Sequence, residues 1–289
     1  MPELPEVETI RKDLAAKLCG LRVQRVAVYL PKIVTPAGQA FVRALRGARI
    51  LAVRRRAKLL RLDIVDRNRQ PLAILIHLKM TGQLVLRHKR HIVFGGHPMV
   101  GVSVVPNKYT RVVFYFTNGD ALYFNDVRQF GYVKLVSQAV ADEIFRAYGL
   151  EPLAREFTRA ALSKILRSHK TTRLKALLLD QRFVGGLGNI YVDEACFRAR
   201  VRPSRRAGRL TPRERRALWR AIRGVIALSL KHRGTSFNTY VDSDGQTGNF
   251  WRYRQVYARA HDPCKVCGTI IKRTVLVGRG THYCPTCQK

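Results

Sequence analysis

Acidic side chains are scarce in this chain. Among 289 residues, 19 Asp plus Glu face 54 Lys plus Arg, a formal net charge of +35 with a pI near 11.1. The shortage runs the whole length: residues 1–150 hold 10 acidic and 25 basic side chains, residues 151–289 hold 9 and 29. That excludes a neutral domain carrying a basic arm. Long apolar runs are missing too; no stretch reaches 18 apolar residues, so no membrane span is expected. The opening MPELPEVETIRKDL has no basic region followed by an apolar one, so no secretory signal is expected either. Cysteine is sparse, six in all with four near the C-terminus, which excludes a disulfide framework and fits the cytoplasm. Internal repeats and low-complexity tracts are absent. What remains is a chain with 46% apolar residues, enough for a sizeable core in one or two domains. Its field attracts polyanions, nucleic acid first and an anionic membrane surface second. A solubility adaptation to a salty or hot habitat is the bland alternative.

Residues 4–18 read as a helix. Pro5 suits a first helical position, Glu6 and Glu8 complement the positive end, and Val7, Ile10, Leu14 and Leu18 share one face. From 21 to about 136 the pattern turns to short strands rich in Val, Ile, Phe and Tyr, such as LAILIHL, GQLVLR and TRVVFYF. Asn118-Gly119, between Phe116 and Tyr123, is a hairpin signal. No helical pattern interrupts these strands, so a β-sandwich or flattened barrel is expected. His88 to Lys108, with Gly95-Gly96 and two prolines, reads as a surface loop. Beyond Gly149-Leu150-Glu151-Pro152 helices are expected over 157–169, 171–181, 189–198 and 211–232, the last opened by Thr211-Pro212. The glycine-rich turn from Phe183 to Asn189 either exposes backbone N–H groups to a phosphate or lets helices pack closely.

Two constellations carry chemistry. Cys264-x2-Cys267, sixteen residues, then Cys284-x2-Cys287 offers four thiolates to a tetrahedral Zn2+, a structural ion because no coordination position stays open. The intervening Thr269–Thr281 is expected to form a hairpin turning at Gly278-Arg279-Gly280, with Arg279 at the tip, either solvated or aimed at phosphates. Cys19 and Cys196, in apolar surroundings, are expected to be buried and inert. At the other end, Met1-Pro2 is a start from which Met is usually removed, leaving the secondary amine of Pro2. An α-amine with a pKa near 8 keeps a neutral fraction that can form an iminium with a sugar aldehyde. Glu3 and Glu6 stand by as proton carriers, although spacing alone favours the plainer reading that Glu3, Glu6 and Glu8 decorate a helix start.

PELPEVE at the N-terminus, RRRAKLL at 54–60, HLKMTGQL at 77–84, NDVRQFG at 125–131, LLLDQRFVGGLGNIYVDEA at 177–195 and the terminal GRGTHYCPTCQ together decide between these readings. In this order, from residue 2 to 288, they resemble the bacterial formamidopyrimidine-DNA glycosylases. The resemblance implies an α+β fold: an N-terminal helix and β-sandwich over 1–150, a helical domain with a helix–two-turn–helix motif over 151–260, and a zinc-finger hairpin over 261–289. It also implies base excision repair of oxidised purines in duplex DNA, through an N-terminal proline Schiff base and successive β- and δ-elimination; no dimerisation pattern stands out in the sequence, so a monomer is expected. Pro2 is then the nucleophile, Glu3 the proton shuttle at the sugar ring oxygen, Glu6 the second carboxylate and Lys58 the essential lysine near the phosphate. Phosphate contacts carry over to His77, Asn189 and Arg279. Met80, Arg128 and Phe130 would fill the void left by the flipped nucleotide. Lys175 and the 235–249 loop correspond to the region over the extruded base, where Thr235, Thr239 and Tyr240 are the candidates.

The departures from the family pattern are Lys79, where glycine or arginine is frequent, and Val127-Arg128-Gln129-Phe130 in place of a Pro-Arg-Arg-Phe run. The intercalating positions survive, so activity is expected, and the 127–130 run bears on preference for the base opposite the lesion because Arg128 and its neighbours would face the orphaned strand. Two other readings stay open: an endonuclease VIII-like enzyme for oxidised pyrimidines, disfavoured by PELPEVE and the full-length loop, and a non-catalytic zinc-finger DNA-binding protein.

Overall fold

The computed structural model describes residues 1–88, 91–96, 104–235 and 249–289. The chain divides into two compact units, Met1–Arg146 with His232–Trp251, and Ala147–Lys231 with Arg252–Lys289. The first boundary falls close to the 150 read from the sequence. His232–Trp251, however, is compact with the first unit and not with the helical domain expected over 151–260.

In the first unit, α1 (Leu4–Leu18) is the helix that periodicity indicates. Glu3 is its N-cap, and Glu6 closes a capping box by accepting the Glu3 backbone N–H at 2.9 Å. Val7, Ile10, Leu14 and Leu18 are buried in the sandwich core, contributing about 1.5–3 kcal/mol apiece. On the polar side Glu8 binds Arg11 at 2.8 Å and Arg55 at 2.9 Å, which ties the helix to the sheet. Burial pushes the Glu8 carboxyl up, but the two guanidinium groups outweigh it and hold it below the usual carboxylate value.

Ten strands make two sheets: β1 (Val23–Val28), β2 (Val34–Thr35), β3 (Arg49–Arg56), β4 (Leu59–Val65), β5 (Pro71–His77), β6 (Gly82–His88), β7 (His91–Gly96), β8 (Thr110–Phe116), β9 (Ala121–Asp126) and β10 (Tyr132–Ser137). Their orders are β1-β8-β9-β6-β7 and β2-β10-β5-β4-β3. Pairing is antiparallel except between β2 and β10. The period-two alternation of each strand puts Leu60, Leu62 and Ile64, Ile74 and Ile76, Leu84 and Leu86, and Leu122 and Phe124 into one cluster. This is the β-sandwich that the sequence indicates.

Local expectations fail in three places. His88 to Lys108 is not all loop, because His91–Gly96 pairs with β6 in register, Leu84 opposite Gly95. Backbone ladders need no side chain, so Gly95-Gly96 does not bar a strand. Two helices also interrupt the sheets, α2 (Gln39–Leu45) and α3 (Gln138–Arg146). Seven to nine residues give barely two turns of periodicity to read. Cys19 is exposed at the C-cap of α1; Cys196 is buried as expected, and burial pushes its thiol up.

The second unit holds α4 (Arg159–Ser168), α5 (Leu174–Leu179), α6 (Asn189–Arg198), α7 (Pro212–Lys231) and the hairpin β11 (Lys272–Leu276) and β12 (Arg279–Tyr283). Thr158 caps α4 by accepting the Ala161 N–H at 3.1 Å. Thr211 and Glu214 cap α7 reciprocally: Glu214 N–H donates to Thr211 Oγ1 at 3.2 Å and Thr211 N–H to Glu214 Oε2 at 2.7 Å. The glycine-rich turn before α6 is buried rather than offered to solvent. Gly185 N–H donates to Leu150 O at 2.9 Å and Gly186 N–H to Gln181 Oε1 at 2.8 Å, so these two N–H groups are committed within the fold, and Gly186 takes φ 92°. The zinc-finger hairpin turns at Val277-Gly278, both at positive φ (47° and 69°), the geometry that matches strand twist. Arg279 therefore opens the return strand opposite Leu276 and is not the tip. Among the described residues no helix is long and apolar enough to cross a membrane.

Candidate active site and nucleic-acid interface

Pro2 and Glu3 are buried at the start of α1. Lys58, 5% exposed, sits in the two-residue turn between β3 and β4, where Ala57 takes φ 52° and its carbonyl accepts from Arg55 Nη1 at 2.9 Å. The terminal amine, here that of Met1, lies within the fields of Glu3, Glu6 and Lys58. Burial lowers its pKa below the usual α-amine value; the two carboxylates oppose this and Lys58 reinforces it. An amine whose pKa is lowered, beside two carboxylates and a lysine, is equipped for nucleophilic attack with proton transfer.

Glu6 has a second task that the sequence does not disclose. Its Oε1 accepts from the Thr235 N–H at 2.7 Å and from Thr235 Oγ1 at 3.0 Å. Gly234 lies against it with φ 86°, and a Cβ there would stand 2.8 Å from the same carboxylate oxygen. Only glycine fits. Arg233 adds a bond to Asp13 at 2.8 Å, so α1 fixes the chain at 233–235. Thr235 is thus an anchor on Glu6; Thr239 and Tyr240 lie outside the described residues.

His77 ends β5, opposite Leu59 on one side and Tyr132 on the other. Burial first, then Lys79 and Lys58, push its pKa down to about 3. Its Nδ1 accepts the Lys79 backbone N–H at 2.9 Å, which leaves the proton on Nε2. The ring is a neutral donor suited to a phosphate oxygen. Since the fold favours the neutral form, the unfolded chain binds the extra proton below pH 6.5. Stability falls as pH drops from 6.5 towards 3 and is unaffected by this group above 6.5, at a cost of up to about 1.4 kcal/mol per unit. Between pH 7 and 5, urea unfolding of the wild type should lose roughly 2 kcal/mol more than that of His77→Gln. Equal losses would show that His77 is not held neutral.

Met80, Arg128 and Phe130, distant in sequence, form one exposed group. Arg128 Nη1 approaches Met80 Sδ at 3.2 Å, and its guanidinium lies 4.8 Å from the centre of the Phe130 ring. Met80 is 42% and Phe130 53% exposed, unusual for such side chains. The frame beneath them is polar. Buried Asp126 accepts from Thr81 Oγ1 and, at 2.7 Å, from the Gly131 N–H, while Arg128 N–H donates to Thr81 Oγ1 at 3.0 Å. Sequence reasoning misses Asp126 as an anchor, though its place near the head of NDVRQFG is a signal. Lys79 and Gln129, two of the three departing positions, both take positive φ (51° and 58°), a region that glycine enters at least cost.

In the second unit, Asn189 opens α6 and Arg279 opens β12. Asn189 Nδ2 donates to Gly280 O at 2.9 Å, next to the exposed Arg279, while Asn189 Oδ1 is buried without a hydrogen-bond partner. Lys175 corrects an expectation. It is fully buried, its Nζ bonded to Asp193 Oδ1 at 2.6 Å and Gly280 O at 3.0 Å. An ammonium so enclosed does not reach DNA or a base in this structure. Sequence reasoning also passes over Asp193 and Glu194. Asp193 accepts the His282 N–H at 2.9 Å, and Glu194 accepts the backbone N–H groups of Gln255, Val256 and Tyr257, each at 2.9 Å. Two successive carboxylates on α6 thereby pin both the hairpin and the segment before it. Cys264, Cys267, Cys284 and Cys287 converge with all four Sγ atoms within 4.8 Å of one another, a donor set suited to a tetrahedral soft-ligand ion.

Comparisons with known proteins identify the family. Residues 1–133 match the formamidopyrimidine-DNA glycosylase N-terminal domain, 148–241 its H2TH domain, and 262–289 the zinc finger found in FPG and IleRS. Formamidopyrimidine-DNA glycosylase of Pelotomaculum thermopropionicum is 43% identical, covering 100% of this chain and 99% of its own. That of Heliobacterium modesticaldum is 42% identical with 100% of both chains covered. Among solved structures, a Lactococcus lactis FPG mutant in complex with Fapy-dG-containing DNA superposes with a TM-score of 0.85 at 30% identity over 100% of both chains. MutM from Thermus thermophilus gives 0.83 at 37% identity over 99% of this chain and 98% of its own. The chain belongs to the formamidopyrimidine-DNA glycosylase family.

Proposed function

We propose that this protein excises oxidised purines from duplex DNA and then cleaves the strand at the resulting site. The observation that carries the reading is that Pro2, Glu3 and Lys58 are buried and that the terminal amine lies within the fields of Glu3, Glu6 and Lys58, its pKa lowered by desolvation. After removal of Met1, the lone pair of Pro2 N attacks C1′ of the lesion nucleoside. The glycosidic electron pair leaves with the base, which takes up a proton. Glu3 delivers a proton to the ring oxygen, the sugar opens, and C1′=N+ forms. Loss of a C2′ proton then expels the 3′ phosphate, a second elimination expels the 5′ phosphate, and water frees the amine. Lys58 and the Nε2–H of His77 hold phosphate oxygens, as do Asn189 and Arg279. Met80, Arg128 and Phe130 fill the gap left in the stack, whose opening costs a few kcal/mol and least at a damaged base.

A cleavage panel with the opposite base varied tests this. Duplexes with 8-oxoguanine or formamidopyrimidine should be cut faster than those with thymine glycol. Faster cutting of thymine glycol would assign the enzyme to oxidised pyrimidines instead. We infer further that Cys264, Cys267, Cys284 and Cys287 hold one structural Zn2+. Chelation with verified loss of metal should disorder the hairpin and weaken DNA binding at least tenfold. Unchanged affinity after metal loss would remove that role.

A further inference from the structure

The second unit contains a cationic cleft that the proposed chemistry does not use. It lies between α4 and α7, with a volume of about 610 Å³, and its lining includes Arg159, Arg167, Arg213, Arg215 and Arg216. Ala160, Ser163 and Pro212 complete the lining, small side chains that keep the space open between long arms. Among the described residues none of these five guanidinium groups has a carboxylate within ion-pair distance, and Arg215 Nε is buried without a hydrogen-bond partner. The adjacent acid, Glu214, is taken by Arg205 and by the cap of α7. Like charges three residues apart, such as Arg213 and Arg216, work against a helix, so an anion in the cleft relieves a cost that the fold carries.

We propose that this cleft is a binding site for the phosphodiester backbone of DNA, separate from the residues that handle the lesion. Five cations exceed what one phosphate can neutralise, whereas a strand offers a charge at every step. The cationic surface also continues. Arg206, Arg209 and Lys289 line a second cleft of about 930 Å³, and Arg205 of that cleft pairs with Glu214 of α7. Guanidinium groups suit this ligand because their planar donors pair with phosphate oxygens two at a time. That the strand is DNA rests on the proposed function; the existence of the anion site does not.

The test is the salt dependence of binding by the full-length protein. The variant R159Q/R167Q/R213Q/R216Q is compared with wild type on an undamaged 40-bp duplex and on a 13-bp duplex bearing a tetrahydrofuran abasic analogue. On the long duplex the slope of log affinity against log salt should become shallower by about three to four, at roughly 0.9 for each phosphate that the variant no longer neutralises. On the short lesion duplex affinity should stay within twofold, and the melting temperature within a degree or two. An unchanged slope on the long duplex would overturn the proposal and leave an acidic protein as the occupant. Equal losses on both duplexes would overturn it too, by placing the cleft inside the lesion footprint. Inorganic phosphate that shifts the melting temperature of wild type but not of the variant, together with an unchanged DNA slope, would replace the strand with a small anion. Lesion cleavage by wild type is measured in parallel; its absence would count against the proposed function while the slope still decides this site.

Discussion

A chain carrying an N-terminal extension ahead of Met1 should bind an abasic-site duplex with near wild-type affinity and yet form no covalent adduct on borohydride reduction. The loss should be roughly 10⁴-fold or more, the scale on which removal of an enzymatic nucleophile acts. In the extended chain Pro2 N is a tertiary amide without a basic lone pair, and the new terminus stands beyond the fields of Glu3, Glu6 and Lys58. The readout separates binding from chemistry. The phosphate contacts proposed above do not involve the terminus, so affinity serves as the control. Normal trapping by the extended chain would exclude the terminal amine and turn attention to Lys58, the other amine at the site.

The second large effect belongs to stability. Asp193→Ala should lower the unfolding free energy of the second unit by about 3–5 kcal/mol, because it strands the ammonium of Lys175 in a fully buried position. It also leaves the His282 N–H without its acceptor. Denaturant unfolding followed by the fluorescence of Trp219, which lies in this unit, reports the change. The double variant K175M/D193L, apolar at both positions, should recover most of the loss. A small effect of Asp193→Ala would mean that water or another carboxylate reaches Lys175. A large effect without recovery in the double variant would locate the cost in the hairpin contact instead.

Legibility varies with the range of the interaction. The Leu4–Leu18 helix can be read because Val7, Ile10, Leu14 and Leu18 repeat on one face, a pattern contained within fifteen residues. The four zinc-finger cysteines can be read because two short spacings state the ligand set. The hairpin at Asn118-Gly119 is equally local, and β8 and β9 pair across it. The strand His91–Gly96 is not legible, since its glycines look like punctuation and its partner strand supplies the order. Arg279 belongs to the return strand and not to the tip because Val277, a β-branched residue, adopts the positive φ that glycine usually takes.

The chemistry-bearing residues divide in the same way. Sequence order and motif blocks nominate Pro2, Glu3, Lys58, His77, Met80, Arg128, Phe130, Asn189 and Arg279. The second contact of Glu6, with Thr235, is invisible in the sequence because more than two hundred residues separate them. The tautomer of His77 depends on one backbone N–H two residues on, and its neutrality on burial beside Lys58 and Lys79. Lys175 looks like any basic residue in a chain of 54 Lys plus Arg, and only burial against Asp193 removes it from the DNA contacts.

By itself, the sequence determined the family, the sandwich-then-helices order, the cysteine ligand set and the attraction to polyanions. Each of these rests on residue identity, spacing or summed charge, quantities that exist before the chain folds. Tertiary structure alone decided which charges are already committed. It buried Lys175 on Asp193, tied Glu6 and Glu194 to backbone N–H groups, and left five arginines of α4 and α7 facing one cleft without acids. The reason is physical: a charge acquires its partner, its pKa and its cost only when folding sets the distance and the solvent around it.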